Sequence, residues 1–118
     1  MAAFPTTTPE PPYTAVVFTS VRTDEDDEGY AAAAARMDEL AAQQDGYLGI
    51  ESARSGREGL TVSYWRDEGS ARAWKQVVEH LAAQGEGRRR WYAAYRVRVA
   101  TVHREYGWPA GRGPHPDL

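Results

Sequence analysis

The order of hydrophobic and polar positions predicts four strands and two helices. Tyr13 to Arg22 is rich in β-branched and aromatic residues, with apolar side chains at both odd and even positions, which favours a strand. The glycine-containing segment 55–59 is typical of a hairpin loop between two further strands. The remaining predicted elements are helices at residues 24–44 and 70–84 and strands at residues 47–54, 60–66 and 95–106.

Both predicted helices have a hydrophobic stripe and a recognisable start. The first begins with five acidic residues, 24–28, which suit the positive end of a helix dipole, and Asp45 and Gly46 end it. Asp67 or Ser70 can cap the second helix. A short helical turn is predicted at residues 88–92. The stripes are Tyr30, Ala33, Met37, Leu40 and Ala41 in the first helix and Ala71, Trp74, Val77, Val78 and Leu81 in the second.

The resulting element order, β-α-β-β-α-β, predicts a ferredoxin-like α+β fold. Two helices on one face of a four-stranded sheet leave the other face open to water. The first strand is apolar on both faces, with Val16 and Phe18 on one side and Ala15 and Val17 on the other. A second copy of the chain would cover the open face most economically, so we expect a homodimer.

A length of 118 residues indicates one domain, which we place at residues 13–107. Residues 1–12 contain four of the seven prolines and are expected to form a flexible N-terminal tail. Residues 108–118 contain the other three prolines and are expected to form a flexible C-terminal tail.

Composition and charge exclude several classes of function. The net charge of −3 argues against nucleic acid as a partner, and there is no cysteine for a disulfide or a thiolate site. No apolar run approaches the roughly 20 residues of a membrane span, and no signal-peptide pattern is visible, so we expect a cytoplasmic protein with no membrane partner. The spacing of the histidines and glycines matches no metal site or nucleotide loop.

Aromatic residues are concentrated between residues 63 and 106, which hold three of the four tryptophans. Rings at that density form either a large core or a pocket for a flat organic ligand. The pattern SYWRDEGSARAWKQVVEHLAAQ…RRRWYAAYRVRVATVHREYG resembles the antibiotic biosynthesis monooxygenase (ABM) domains, which include relatives of the haem-degrading monooxygenases. The resemblance covers about residues 13–107 and implies a dimeric α+β barrel.

The resemblance also implies a chemistry. Cofactor-independent members oxidise polycyclic phenols to quinones, because a deprotonated phenol can reduce oxygen directly. Such a site needs an apolar, water-poor pocket and groups that favour the phenolate. His80, at the edge of the apolar stripe of the second helix, is the candidate acid or base. The candidate ligand-binding residues for a small aromatic molecule are Trp65, Trp74, Gln84, Arg88 and Tyr92.

The residues leave other interpretations open. His80 can be a boundary residue bonded to the backbone, and the tryptophans can be core. Haem-degrading relatives use a proximal histidine with a distal tryptophan and asparagine; Trp74 and His80 match in residue type, but this chain has no asparagine. We therefore expect no cofactor, with haem binding or breakdown as one alternative and a non-catalytic ligand-binding or structural dimer as another. Arg96 and Arg98 share one strand face and can form ion pairs across a dimer.

Overall fold

The computed structural model describes residues 4–84 and 87–109, the side chains of residues 82–84, 87 and 88 excepted. The predicted ferredoxin-like α+β fold is confirmed. In chain order, the elements are β1 (Tyr13–Arg22), α1 (Asp27–Ala42), β2 (Tyr47–Ser55), β3 (Glu58–Trp65), α2 (Glu68–Gln84), α3 (Gly87–Trp91) and β4 (Tyr92–Val102). The four strands form one antiparallel sheet in the order β2-β3-β1-β4.

Several element boundaries differ by a few residues from the sequence-based prediction. Helix α1 begins three residues later than expected, because Asp26 caps it: its carboxylate accepts a hydrogen bond from the Gly29 amide. Strand β4 begins at Tyr92 and ends at Val102, because its pairing with β1 extends from Arg22 to Tyr13. The hairpin loop is only two residues long, and Gly56 has the positive φ of 57° that a tight hairpin turn requires at its first position.

Helices α1 and α2 pack against the same face of the sheet. Trp65 of β3 is fully buried there between α1 and α2, and Val16 of β1 packs against the same cluster. Since side chains alternate along a strand, the even-numbered residues of β1 face the helices. The odd-numbered residues, from Tyr13 to Val21, lie on the opposite face, which we call the open face.

The two predicted hydrophobic stripes form the core. The buried residues are Ala41 of α1, Trp65 of β3, and Ala71 and Trp74 of α2; the partly buried residues packed against them are Val16, Met37, Leu40, Tyr47, Val77 and Val78. The Trp65 indole stacks on the Trp74 indole with a centroid distance of 5.7 Å. Its Nε1–H donates to Ser63 Oγ at 2.9 Å, so the buried polar atom of the ring has a partner.

The predicted domain limits and the flexibility of the tails stay predictions. Residues 1–3 and 110–118 lie outside the described residues. No helix in the described ranges is both long enough and apolar enough to cross a membrane.

Candidate functional site

The helix-facing side of β4 forms an apolar surface that α1 and α2 leave uncovered. Tyr95, Val97 and Val99 are 43%, 47% and 52% exposed. They alternate along β4 and therefore share one face, and Tyr95 stacks on Phe18 with a centroid distance of 5.4 Å and an interplanar angle of 21°. Together with Tyr92 at one end, these residues form what we call the aromatic shelf: Phe18, Tyr92, Tyr95, Val97 and Val99.

Tyr92 closes one end of the aromatic shelf. Its ring meets Phe18 edge-on at 5.4 Å and Tyr95 at 5.9 Å. On its other side it meets Tyr30 of α1 at 5.8 Å. A ring held from three sides loses little additional freedom when a flat molecule packs against it, so the Tyr92 ring is suited to such packing.

Phenol and guanidinium groups gather beside Tyr92. Arg54 Nη2 donates to the Tyr30 hydroxyl at 2.8 Å, and the Arg22 guanidinium lies 3.7 Å from the centre of the Tyr30 ring. Burial raises the pKa of Tyr92 above its ordinary value, and a hydrogen bond with Tyr30 raises this pKa further. The end of the shelf therefore combines a protonated phenol with two cationic side chains.

Asp26 holds this end of the shelf in position. Trp91 Nε1 donates to Asp26 Oδ2 at 3.1 Å, and this hydrogen bond is the main reason why the pKa of Asp26 is lowered. The Trp91 carbonyl accepts from the Thr23 amide at 2.8 Å and from Arg22 Nε at 3.1 Å. These bonds tie the residue before Tyr92 to the start of α1, and so fix Tyr92 relative to Tyr30.

A buried hydroxyl without a partner lies next to the shelf. Ser20 is buried, and its Oγ finds no hydrogen-bond acceptor or donor within the described ranges. In the sheet register it lies between Gly59 and Tyr95, two residues from Phe18. Buried polar atoms normally have partners, so Ser20 Oγ is an exception within the described ranges.

Ionisation of buried phenols gives a prediction for stability at high pH. Burial, followed by the hydrogen bond to Glu51, raises the pKa of Tyr64 above the ordinary 10.0, as burial does for Tyr92. Above about pH 10 the unfolded chain loses these protons while the folded chain keeps them, so the free energy of unfolding falls as pH rises. Urea unfolding at pH 9 and 11 should show a smaller fall in the Tyr64→Phe variant; equal falls would contradict the prediction.

The structure places two predicted ligand-binding residues in the core. Trp65 and Trp74 are both buried and stack on each other, so their rings fill the space between α2 and the sheet at this level. Their contact agrees with the alternative that these tryptophans are core residues. Their assignment to ligand binding stays a prediction.

The other predicted site residues lie near the C-terminal end of α2 or beyond it. His80 is exposed on α2, four residues before the helix ends at Gln84 and leads to α3 and Tyr92. Tyr92 is part of the aromatic shelf. The side chains of Gln84 and Arg88 lie outside the described residues, so the predicted roles of these two residues remain predictions.

The sequence alone does not predict Arg22, Tyr30 and Arg54 as site residues. Tyr30 was visible as one position of a helical stripe, but nothing local connects it to Tyr92, more than sixty residues away. Their proximity depends on the pairing of β1 with β4, which brings Arg22 opposite Tyr92. Within the described ranges, no three acidic or histidine side chains are grouped closely enough to hold a metal ion.

Comparison with known proteins identifies the family. The model of the family described as antibiotic biosynthesis monooxygenase matches residues 12–86, and the chain belongs to this family. It is 50% identical over 107 residues to the uncharacterized protein YqjZ of Bacillus subtilis strain 168, covering 89% of this chain and 92% of YqjZ.

Two solved structures show the same fold at low sequence identity. Protein SO0527 of Shewanella oneidensis matches with a TM-score of 0.66 and 13% identity, covering 77% of this chain and 91% of SO0527. SnoaB, a cofactor-independent oxygenase of Streptomyces nogalater, matches with a TM-score of 0.60 and 16% identity, covering 83% of this chain and 97% of SnoaB.

Proposed function

We propose that the protein is a monooxygenase of the ABM type that binds a small aromatic or polycyclic phenol on the aromatic shelf. We also propose that it oxidises this ligand with molecular oxygen and uses no organic cofactor or haem. The observation that carries the proposal is the exposed apolar surface of Tyr95, Val97 and Val99 beside the hydroxyl and guanidinium groups at Tyr92. The similarity in fold to SnoaB, a cofactor-independent oxygenase, supports it.

The reaction needs little from the protein. A phenol gives its proton to a base, and the electron-rich phenolate transfers electrons to oxygen. One oxygen atom enters the ring to give a quinone, and the other leaves as water, so the phenol supplies all four electrons. The protein has to bind the flat ring away from water and to favour the phenolate over the phenol.

The shelf has groups suited to packing against the ring and to favouring the phenolate. Phe18, Tyr95 and Val97 provide an apolar surface against which a flat ring can pack. Arg54, which donates to the Tyr30 hydroxyl, brings positive charge toward Tyr92 and thereby favours a nearby phenolate oxygen.

A direct assay tests the proposal. The purified protein is incubated with hydroxynaphthalenes and hydroxyanthracenes while absorbance and oxygen uptake are followed. Quinone formation with one molecule of O2 consumed per molecule of phenol supports the proposal. Phenol binding without oxygen uptake supports the non-catalytic alternative. A Soret shift with haemin supports the haem alternative, which stays an untested prediction.

Replacement of one shelf residue should weaken binding of the phenol. Val97→Asp places a charge under the proposed ring, and we expect the affinity for a bound hydroxynaphthalene to fall by about tenfold or more, since desolvating a charge costs well over 1 kcal/mol. Fluorescence titration measures the dissociation constant. Val97→Leu keeps the surface apolar and is the control. Equal affinities in the two variants would place the ligand elsewhere.

We further propose that the protein is a homodimer whose two open faces meet. Val21 and Leu60 on this face are 40% and 44% exposed, and apolar residues so exposed favour coverage by another protein surface. A biological contact of this kind buries at least roughly 1,000 Å². Light scattering at micromolar concentration that gives the mass of a single chain would contradict the dimer.

A further inference from the structure

The open face has two unlike halves. Tyr13 and Ala15, at the start of β1, are only 6% and 5% exposed, whereas Val21, at its other end, is 40% exposed. All three lie on the face opposite α1 and α2. Leu60, which pairs with Thr19 of β1 and lies on this face too, is as exposed as Val21. Something other than the two long helices therefore covers the half around Tyr13.

The N-terminal segment covers part of this half at the β2 edge. The backbone amide of Thr6 donates to Glu51 Oε1 of β2 at 2.9 Å. The Thr6 side chain lies directly over Gly49, where a Cβ atom would come within 2.9 Å of Thr6 Oγ1. The segment thus crosses β2 at a position where the strand has no side chain to obstruct it.

The same segment is tied to the other side of the sheet. Thr8 Oγ1 lies 2.7 Å from Glu105 Oε1, to which it donates, and 2.9 Å from the Tyr13 hydroxyl. The Tyr13 hydroxyl also donates to Glu105 Oε1 at 2.9 Å. Glu105 follows β4 and Glu51 belongs to β2, so the two carboxylates anchor the segment at both edges of the sheet. Hydrogen bonds to carboxylates are stronger than those between neutral groups.

The two carboxylates also bind the tyrosines beneath the segment. The Tyr64 hydroxyl donates to Glu51 Oε2 at 2.6 Å, and the Tyr64 ring meets the Tyr13 ring edge-on at 5.7 Å. Thr6 and Thr8 are half-buried, whereas Thr7 between them is exposed. The segment therefore presents alternate threonines to the sheet, as a strand would, and forms a continuous layer with Tyr13 and Tyr64.

We propose that residues 4–12 form an N-terminal strap that is part of the folded domain and permanently occupies the Tyr13 half of the open face. A second copy of this chain then contacts the other half, where Val17, Val21, Leu60 and Val62 lie. The second statement rests on the proposed dimer; the first does not. The strap lies almost entirely before residues 12–86, which match the family model. An ordered strap is the opposite of the flexible N-terminal tail that the composition of residues 1–12 predicts.

Reactivity of single cysteines tests the strap, because the chain has no cysteine of its own. Thr8→Cys and the adjacent Thr7→Cys are matched full-length variants that differ only in whether the thiol faces the sheet. We expect the thiol of Thr8→Cys to react with a thiol-specific dye at least about tenfold more slowly than that of Thr7→Cys in the native protein, and equally fast in urea. Equal rates in the native protein would overturn the strap.

A second pair of measurements distinguishes the strap from coverage by another copy. The thiol of Thr8→Cys should stay slow at every protein concentration, whereas that of Leu60→Cys should slow as concentration rises and a second copy covers it. A Thr8→Cys rate that increases on dilution would mean that a partner covers this half, which overturns the strap. A fast Leu60→Cys at all concentrations would overturn the contact surface assigned to the second copy.

A steric variant completes the test without any activity measurement. Adding Gly49→Ala to Thr8→Cys places a methyl group within 2.9 Å of the Thr6 side chain and should displace the strap, which increases the rate of labelling several-fold. Gly107→Ala, where a Cβ atom meets nothing within 4 Å, is the control. None of these labelling rates depends on oxygen or a phenol. They therefore test the strap even if the protein does not oxidise phenols.

Discussion

Trp65→Ala should destabilise the protein by about 3–5 kcal/mol, the usual cost of removing a large buried aromatic side chain. Trp65 is 0% exposed and stacks on Trp74, so its removal leaves a cavity between β3 and α2. It also leaves Ser63 Oγ without its indole partner. Because domains of this size are stable by about 5–15 kcal/mol, the variant should unfold at a much lower urea concentration.

Trp108→Ala is the matched control for this prediction. Trp108 is 80% exposed, and substitutions at such positions usually change the free energy of unfolding by less than about 0.5 kcal/mol. Urea unfolding followed by circular dichroism gives both values. Similar losses in the two variants would contradict the core role of Trp65. A stable Trp65→Ala variant with impaired phenol binding would instead support its predicted role in the ligand site.

His80→Ala should lower the turnover of a phenol by about 100-fold, which is within the usual range for the loss of an acid or base. The expectation rests on the proposed function and on the sequence-based assignment of His80. His80 is exposed on the part of α2 that leads to Tyr92, so its removal creates no cavity, and the melting temperature should be unchanged. Steady-state oxygen uptake gives kcat and KM for the variant.

His103→Ala is the control that shows whether a loss of turnover is specific to His80 or follows the loss of any exposed histidine. His103 is also exposed, but it follows β4 at the end of the sheet opposite Tyr92. Its replacement should leave kcat unchanged. If His80→Ala retains full turnover while Val97→Asp loses phenol binding, the base is not His80, and the groups around Tyr92 become the candidates. If both variants are unaffected, the reaction occurs away from the shelf.

The site could be predicted only in part, and Tyr92 shows why. Aromatic density after residue 63 predicts either a large core or a pocket for a flat ligand, and Tyr92 lies on a partly exposed aromatic surface. The same density also includes Trp65 and Trp74, which stack on each other in the core. Composition alone cannot distinguish the buried rings from the exposed ones, because the exposure of a ring depends on which strands and helices cover its face of the sheet. Helices α1 and α2 cover β3, whereas Tyr95, Val97 and Val99 of the outer strand β4 stay exposed.

Local sequence determined the elements of this protein and their order. Alternation of side chains along residues 13–22 and the helical spacing of Met37 and Leu40 follow from backbone geometry, so they are readable without any partner. Tertiary structure alone decided which residues meet. Arg54 reaches Tyr30 because β2 and α1 lie side by side, and Thr8 meets Glu105 across 97 positions of the chain. Such contacts depend on strand order and register, for which no short stretch of sequence carries the information.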